Sequence, residues 1–428
     1  MQIKFEFKLQ KDAYTLNDFS YKRPYTYWNK DVFKEVFDYT VAQTDTETED
    51  YLIHKWTYSM RVKDSSIGGC AFEQIIQVYL DDILVLEKNS EKTIVNNLVA
   101  SADDFYEFYD CLFEKYTDYE IDLTEDINLG KFTDMTDRGW GFALAGSNKF
   151  VLNGKGHTIF YEIEIDKILA GESGKLSLFN ENRNIIENLN VNCKINLKNA
   201  DMQKVSSTTT KYGSANVAGV AYDNVDGAVI ENCIVNIDAY VNAYLSEVGG
   251  VVVYNNGLIS HCTVSGNIEG TDKYSGVDIG GIAFWNYSET VEITGCTNKA
   301  NIFGYGNLGG GAVQNNGRIN SRKNDGKITY KYAKIEEGRT TYRSVADIVA
   351  MNLGDCTESK NAGTIKFGGN ISSDVYIQPV MGQIIGTQYS GALFGNTWTG
   401  NVDTAGLSSD YHGFNQTLYA RNAECGKI

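Results

Sequence analysis

The sequence predicts a mainly β chain built around a parallel β-solenoid, and three observations carry that expectation. A short phrase recurs, an apolar run closed by asparagine: LSLFN, VAYDN, VVVYN, IAFWN, GAVQN and IVAMN, ending at Asn180, Asn224, Asn255, Asn286, Asn315 and Asn352. In the last five copies Gly219, Gly250, Gly281, Gly310 and Asp347 stand five residues earlier, while the gap between successive asparagines drifts from 29 to 37 residues. A second strand-like run follows each asparagine after a polar turn: IIENLNV, VIENCIV, LISHCTV, VEITGCT and RINSRKN. The chain also holds 42 Gly, 28 Tyr and only 2 Pro, the composition of an ordered, β-rich protein. A unit of about 30 residues cannot bury its own apolar face, so the units must stack.

Residues 1–100 lack the repeat and read as a small α+β or β-rich domain. Ile3, Phe5, Phe7 and Leu9 alternate with Lys4, Glu6 and Lys8, the pattern of a half-buried antiparallel strand. Asn29 is placed to cap a short helix through Val32, Phe33, Val36 and Phe37. Trp56, Tyr58 and Met60 alternate again, and the runs from Ile75 to Leu80 and from Ile83 to Leu86 flank Asp81 and Asp82 as a hairpin. Residues 101–118 read as a capping helix. Ser101 and Asp104 resemble a capping box, and Phe105, Phe108, Tyr109, Leu112, Phe113 and Tyr116 share one helical face. A first coil exposes apolar interior and open strand edges, so a helix directly before it is expected to cover that end.

The solenoid is expected over residues 119–402. Two and four residues before each asparagine, Leu176/Leu178, Val220/Tyr222, Val251/Val253, Ile282/Phe284, Gly311/Val313 and Ile348/Ala350 are expected to point inward. The intervening column (Ser177, Ala221, Val252, Ala283, Ala312, Val349) and the residue before the asparagine (Phe179, Asp223, Tyr254, Trp285, Gln314, Met351) are expected outside. Leu189, Cys233, Cys262 and Cys296 form one apolar column that continues through Arg322 and Ser359. Asparagine tolerates the left-handed conformation and its amide bonds to amides above and below, so the six asparagines are expected to form a turn ladder. Residues 131–147, 201–214 and 331–343 read as loops, and residues 403–428 as a cap or partner-binding tail.

The stretch from Val248 to Gly270, VGGVVVYNNGLISHCTVSGNIEG, resembles the GLUG-type repeats of right-handed parallel β-helix proteins. The segments from Tyr119 to Gly130 and from Phe150 to Ile159 resemble the lead-in that precedes such repeats. The resemblance covers about three quarters of the chain and implies the fold, with about eight coils. Proteins with this repeat include surface adhesins, phage and tailocin tail proteins and accessory regions of secreted enzymes. Asp347 departs from the pattern where glycine is expected, and Thr387 where asparagine is expected.

Composition narrows the partners. A net charge of -17 repels phosphate backbones and anionic lipid, which argues against nucleic acid. No apolar stretch approaches the roughly 20 residues of a membrane span, so no membrane insertion is expected. The amino terminus alternates charged and apolar residues without the h-region of a signal peptide. This predicts synthesis in the bacterial cytoplasm and residence in a virion or tail-like particle, with the cell surface as the alternative. Cysteines are dispersed without CxxC, and the four histidines are scattered, so no metal or other cofactor is implied.

No residue is singled out as catalytic. Neighbouring coils offer carboxylate pairs, Asp238 with Glu269 and Asp278 with Glu247, as any acidic β-helix does. Tyr254 beneath Trp285, with Phe179 farther along, forms the candidate binding surface, since stacked aromatic faces suit sugar rings or a protein partner. The leading expectation is a structural or receptor-recognising component of a phage or phage-tail-like particle, in which residues 1–100 dock to other tail or baseplate proteins. Its target is a bacterial surface glycan or protein. Tail proteins of this kind are often homotrimers, β-helices built on these repeats also stand alone, and no heptad specifies a trimer here. The alternatives are a polysaccharide-degrading lyase or glycosidase, and a surface adhesin.

Overall fold

The structure is a computed structural model. It describes residues 2–10, 19–22, 25–27, 37–47, 51–62, 71–80, 83–89, 93–94 and 98–105. It then describes 120–403 apart from 134–142, 149, 207–208, 272–275, 332–342 and 369–378. The chain divides into two compact units, 1–115 and 116–428.

The first unit is antiparallel. Gln2–Gln10 pairs with Tyr51–Val62, which pairs on its other side with Phe37–Glu47. The expected hairpin is present: Ala71–Leu80 pairs with Ile83–Asn89, with Leu80 opposite Ile83. Phe37 opens a strand rather than closing a helix, and the rest of the Asn29 helix lies outside the described residues. Half of the expected capping box is present, the Asp104 backbone N–H donating to Ser101 Oγ at 3.1 Å, while Asp104 Oδ2 accepts from the Ala100 N–H at 3.0 Å. The helix beyond Phe105 is likewise outside the described residues.

The second unit is a stack of parallel strands, the β-helix the repeat implies. Each coil visits three sheets in turn. In one coil Ile234–Val241 lies in sheet A, Glu247–Gly249 and Val252–Asn255 lie in sheet B on the two sides of a glycine pair, and Leu258–Ser260 lies in sheet C. Thr263–Gly270 then returns to sheet A, in register with Ile234–Val241. Sheet A holds nine successive rungs, from Ile127–Phe132 to Thr397–Trp398. At about 4.8 Å per rung the stack is about 40 Å long. The segments expected as a lead-in are its first two rungs, since Glu120–Leu123 pairs with Val151–Asn153 and Ile127–Phe132 with Thr158–Ile165. The stack remains in register through Asn401–Asp403.

Two expected loops carry strands. Ala143–Asn148 pairs in parallel with Ser173–Asn182 in sheet B, and Met202–Lys204 with Thr210–Tyr212 forms a two-stranded antiparallel excursion. Residues 332–342 and the tail from residue 404 lie outside the described residues.

The asparagine ladder is real and buried, with one correction. Asn182, not Asn180, is its first member: Asn182 Nδ2 donates to Asn224 Oδ1 at 2.9 Å, and the chain of amides continues through Asn255, Asn286 and Asn315 to Asn352 at 2.7–2.8 Å. Asn180 instead accepts a hydrogen bond from Lys175 Nζ at 3.1 Å. The ladder ends at Gln388, whose Oε1 accepts from Asn352 at 3.0 Å, while Thr387 pairs with Met351. Nor is this the left-handed turn. Positive φ recurs one corner later, at Asn188, Asn232, His261, Gly295, Ser321, Glu358 and Gly395. The ladder asparagines keep ordinary backbone and spend their amides on one another and on turn carbonyls.

The interior explains where the repeat breaks. An added Cβ at Gly281 would lie 2.1 Å from Gly310 O and 2.7 Å from Asn298 Cγ, so the glycine column is required by what faces it. In the cysteine column Arg322 is 1 % exposed and in the glycine column Asp347 is 0 % exposed. The Arg322 guanidinium donates to Gly310 O and occupies the space beside Gly311, where an added Cβ would lie 2.2 Å from Nη1. Val220, Val251, Ile282 and Ile348 fill that column in other coils. Gly311, Arg322 and Asp347 therefore depart from the repeat together. Asp347 accepts from the amides of Asn324 and Asn361, which belong to a second internal amide ladder with Asn298.

Burial pushes the Asp347 carboxyl up to about 8, outweighing the amides of Asn361 and Asn324 and the charge of Arg322. Between its unfolded value near 4 and about 8 the folded chain holds a proton that the unfolded chain has lost. Asp347 thus stabilises the fold least at the top of that window. Urea unfolding should show a contribution that declines as pH rises from about 4 to about 8, and Asp347→Asn should remove that component. An unchanged pH slope in the variant would contradict the assignment.

Candidate functional site

The glycine pair turns sheet B into a corner. Val235 Cγ1 and Val264 Cγ1 crowd the positions where Cβ atoms of Gly219 and Gly250 would lie, so those glycines face sheet A. By strand alternation the preceding residues, Ala218 and Gly249, face the other way. There Ala218, Val253, Phe284, Val313 and Ala350 form a buried cluster, and Tyr222, Tyr254, Trp285 and Met351 pack on it. The strands before and after the glycines fold toward each other, since the Tyr254 hydroxyl donates to the carboxylate of Glu247, seven residues earlier.

This corner carries aromatic rings on three successive rungs. Tyr222 meets Tyr254 edge-on with ring centroids 5.3 Å apart, and Tyr254 meets Trp285 at 6.3 Å. Trp285 continues to the exposed Tyr287 at 4.4 Å. Tyr254 and Trp285 are register partners, as expected. Phe179 is not part of this surface. It pairs with Ala221 and is fully buried, because the register of its strand is two residues away from the one the phrase suggests, which puts Glu181 beside Asp223 and Tyr254. The column Ala221, Val252, Ala283, Ala312 and Val349, expected outside, is fully buried as well.

Carboxylates line the same corner. Glu247 and Asp278 are direct register partners on adjacent rungs. Burial raises Glu247 above the usual carboxylate range, the Tyr254 hydroxyl lowers it, and Asp278 raises it further. Burial also raises Asp278, opposed by Arg343 and by Asn307, whose backbone N–H and Nδ2 donate to it at 2.7 and 2.9 Å. Asp223 is raised by burial too, although Asn256 Nδ2 donates to it at 3.0 Å. Lys175 Nζ lies 4.0 Å from the centre of the Tyr222 ring. Half-buried acids with raised proton affinity beside stacked rings are the environment of a binding or catalytic site.

The other carboxylate pair lies elsewhere. Asp238 and Glu269 sit diagonally on adjacent rungs of sheet A, where Asp238 pairs with Asn267 and Tyr240 with Glu269. They border an open groove of about 520 Å³ that also touches Lys194, Asn196, Lys198 and Tyr240. Asp238 Oδ1 accepts from Asn267 Nδ2 at 2.9 Å. Lys198 is ion-paired with Glu164 and Asp166, and Lys194 with Glu162. Asp238 is exposed, whereas Glu247 and Asp278 are half-buried. Among the described residues no group of three or more His, Cys, Asp or Glu side chains is arranged to hold a metal ion.

The sequence left Glu247 and Asp278 as one pair among several, and left Tyr222 in the core. What it lacked was the sharp corner at the glycines. Asn182 did carry a signal, since it stands seven residues before Leu189, as Asn255, Asn315 and Asn352 stand seven before Cys262, Arg322 and Ser359.

No family model matches the chain, and no curated protein matches it. Among solved structures the chain is similar to one described as an IgA1 protease, with 12% identity, 88% of this chain covered and a TM-score of 0.36. The match spans 26% of that protein's length.

Proposed function

We propose that this chain is a recognition rod that binds a bacterial surface glycan along the sheet B corner and does not turn it over. The observation that carries this reading is the row of Tyr222, Tyr254 and Trp285 on successive rungs of a rigid stack, bordered by hydrogen-bonding carboxylates. Sugar rings stack on such faces, and a solenoid fixes the spacing between them. In this reading the repeats are GLUG-type and residues 1–100 attach the rod to a phage or phage-tail-like particle through its tail or baseplate proteins. The support for attachment is a leading unit of separate, antiparallel architecture. A surface adhesin would use the same corner.

The test is equilibrium binding of the intact chain to purified bacterial surface polysaccharides, with and without Tyr254→Leu and Trp285→Leu. Each substitution is expected to weaken binding about tenfold, the loss of roughly 1 kcal/mol or more of ring stacking. Equal binding by the parent and both variants would remove the corner from the account.

One observation favours a second reading, a polysaccharide-cleaving enzyme. Glu247 and Asp278 are register partners on adjacent rungs, whose backbones lie about 4.8 Å apart, so the corner places two acids side by side as a glycosidase requires. Release of reducing ends from a bound polymer, abolished by Glu247→Gln, would establish that reading in place of the first.

A further inference from the structure

Resting on the glycan-recognition reading, we infer that the corner selects sugars bearing a positively charged amine, so that its ligand is an amino-sugar polymer with free ammonium groups. The chain itself supplies the first instance. On the first ring of the row an ammonium, Lys175 Nζ, sits 4.0 Å from the centre of Tyr222 while donating to Asn180. Tyr254 and Trp285 follow on the next two rungs, one position farther along the strand than Tyr222, and the Lys175 column there holds Glu247 and Asp278. Among the described residues no lysine or arginine lies over Tyr254 or Trp285.

Carboxylates stand beside these two rings. Tyr254 is tied by its hydroxyl to the carboxylate of Glu247, and Glu247 is followed one rung on by Asp278. Trp285 adds the strongest cation-attracting face of the natural side chains, half-buried where water screens it least. Its indole N–H is buried without an acceptor among the described residues, so only the ring face is offered to a ligand. Asp223 and Glu181 stand in the same column as Tyr254, on the two preceding rungs. Glu181 is ion-paired with Arg183, and Asp223 is bonded to Asn256. The cations nearest the corner lie toward its margins, Lys175 at Tyr222 and Arg343 near Asp278. The stretch between them is aromatic and anionic, which complements an ammonium and opposes a uronic acid.

The polymer would lie along the stack, because successive rings advance one rung at a time. An acetylated amino sugar presents the same ring and hydroxyls without the charge, so acetylation isolates the inference.

The experiment is calorimetric titration of the full chain with short chitosan oligomers and with fully acetylated oligomers of the same length, at physiological salt. The deacetylated oligomer is expected to bind at least about tenfold more tightly. That preference should collapse in Glu247→Gln and in Trp285→Leu and persist in Asp238→Asn, which lies outside the corner. A preference that survives both corner substitutions would reflect only the overall negative charge and would overturn the inference, as would equal binding of the two oligomers or binding of neither. Binding to purified surface polysaccharides, abolished by the corner variants, would in those cases still uphold recognition by the corner.

Discussion

Replacing Arg322 with alanine is expected to lower the free energy of unfolding by about 3–5 kcal/mol, among the largest losses available to a single substitution in this chain. Three effects add. The guanidinium fills the gap beside Gly311, so its removal leaves a cavity rather than a collapsed core. Its hydrogen bond to Gly310 O disappears. Asp347 also loses the charge of Arg322 that favours its ionised form, a loss felt only above about pH 8, where Asp347 would ionise. The effect should be partly repairable from within the repeat. Adding Gly311→Ile to Arg322→Ala refills the column as Ile282 and Ile348 do in the flanking coils, but its Cβ would lie 2.6 Å from Ile348 O, so the backbone must shift and only part of the loss should return. Arg318→Ala, on an exposed side chain nearby, should change stability by less than about 0.5 kcal/mol. Urea unfolding of the four proteins separates these outcomes, and an Arg322→Ala midpoint equal to that of Arg318→Ala would contradict the interior assignment.

Asn286→Ala is expected to cost about 2–4 kcal/mol, because each amide of the ladder serves its neighbours in both directions. Asn286 accepts from Asn255 Nδ2 at 2.8 Å and donates to Asn315 Oδ1 at 2.7 Å and to Arg318 O at 3.3 Å. Alanine takes from the buried Asn315 Oδ1 its ladder donor, at roughly 1–3 kcal/mol, and leaves a cavity between the neighbouring amides. Amide stacking as such is not what matters. Asn301 Nδ2 donates to Asn267 Oδ1 at 3.0 Å in the same rung-to-rung fashion on the exposed face of sheet A. Asn301→Ala should therefore be nearly neutral, since water replaces the lost bond. The correction at the start of the ladder is checked by the same measurement: Asn182→Ala should be costly and Asn180→Ala mild.

The stacking, the number of coils to within one and the cysteine column were legible because they follow from periodicity, which every coil repeats. Misreadings gathered where a local phrase was taken for a register. LSLFN looks like its sister phrases, yet the strand continues through Glu181 to Asn182, and the two-residue difference moves Phe179 from the surface to the core. The corner was hidden for a different reason. Alternation assigns a residue to one of two faces of a flat strand, whereas the paired glycines bend sheet B and bury both columns that follow them. The Arg322 and Asp347 exceptions were visible as departures but not as a unit, because Gly311, the third member, passes in sequence for one more glycine of the repeat.

The central claim is that the sheet B corner receives the ligand, and hydrogen–deuterium exchange on the intact chain with and without saturating surface polysaccharide tests it most directly. The predicted result is slowed exchange in peptides covering 216–224, 247–256 and 278–287, three adjacent rungs on one face. Protection confined to 236–240 and 265–269 on sheet A, or to residues 1–100, would contradict it.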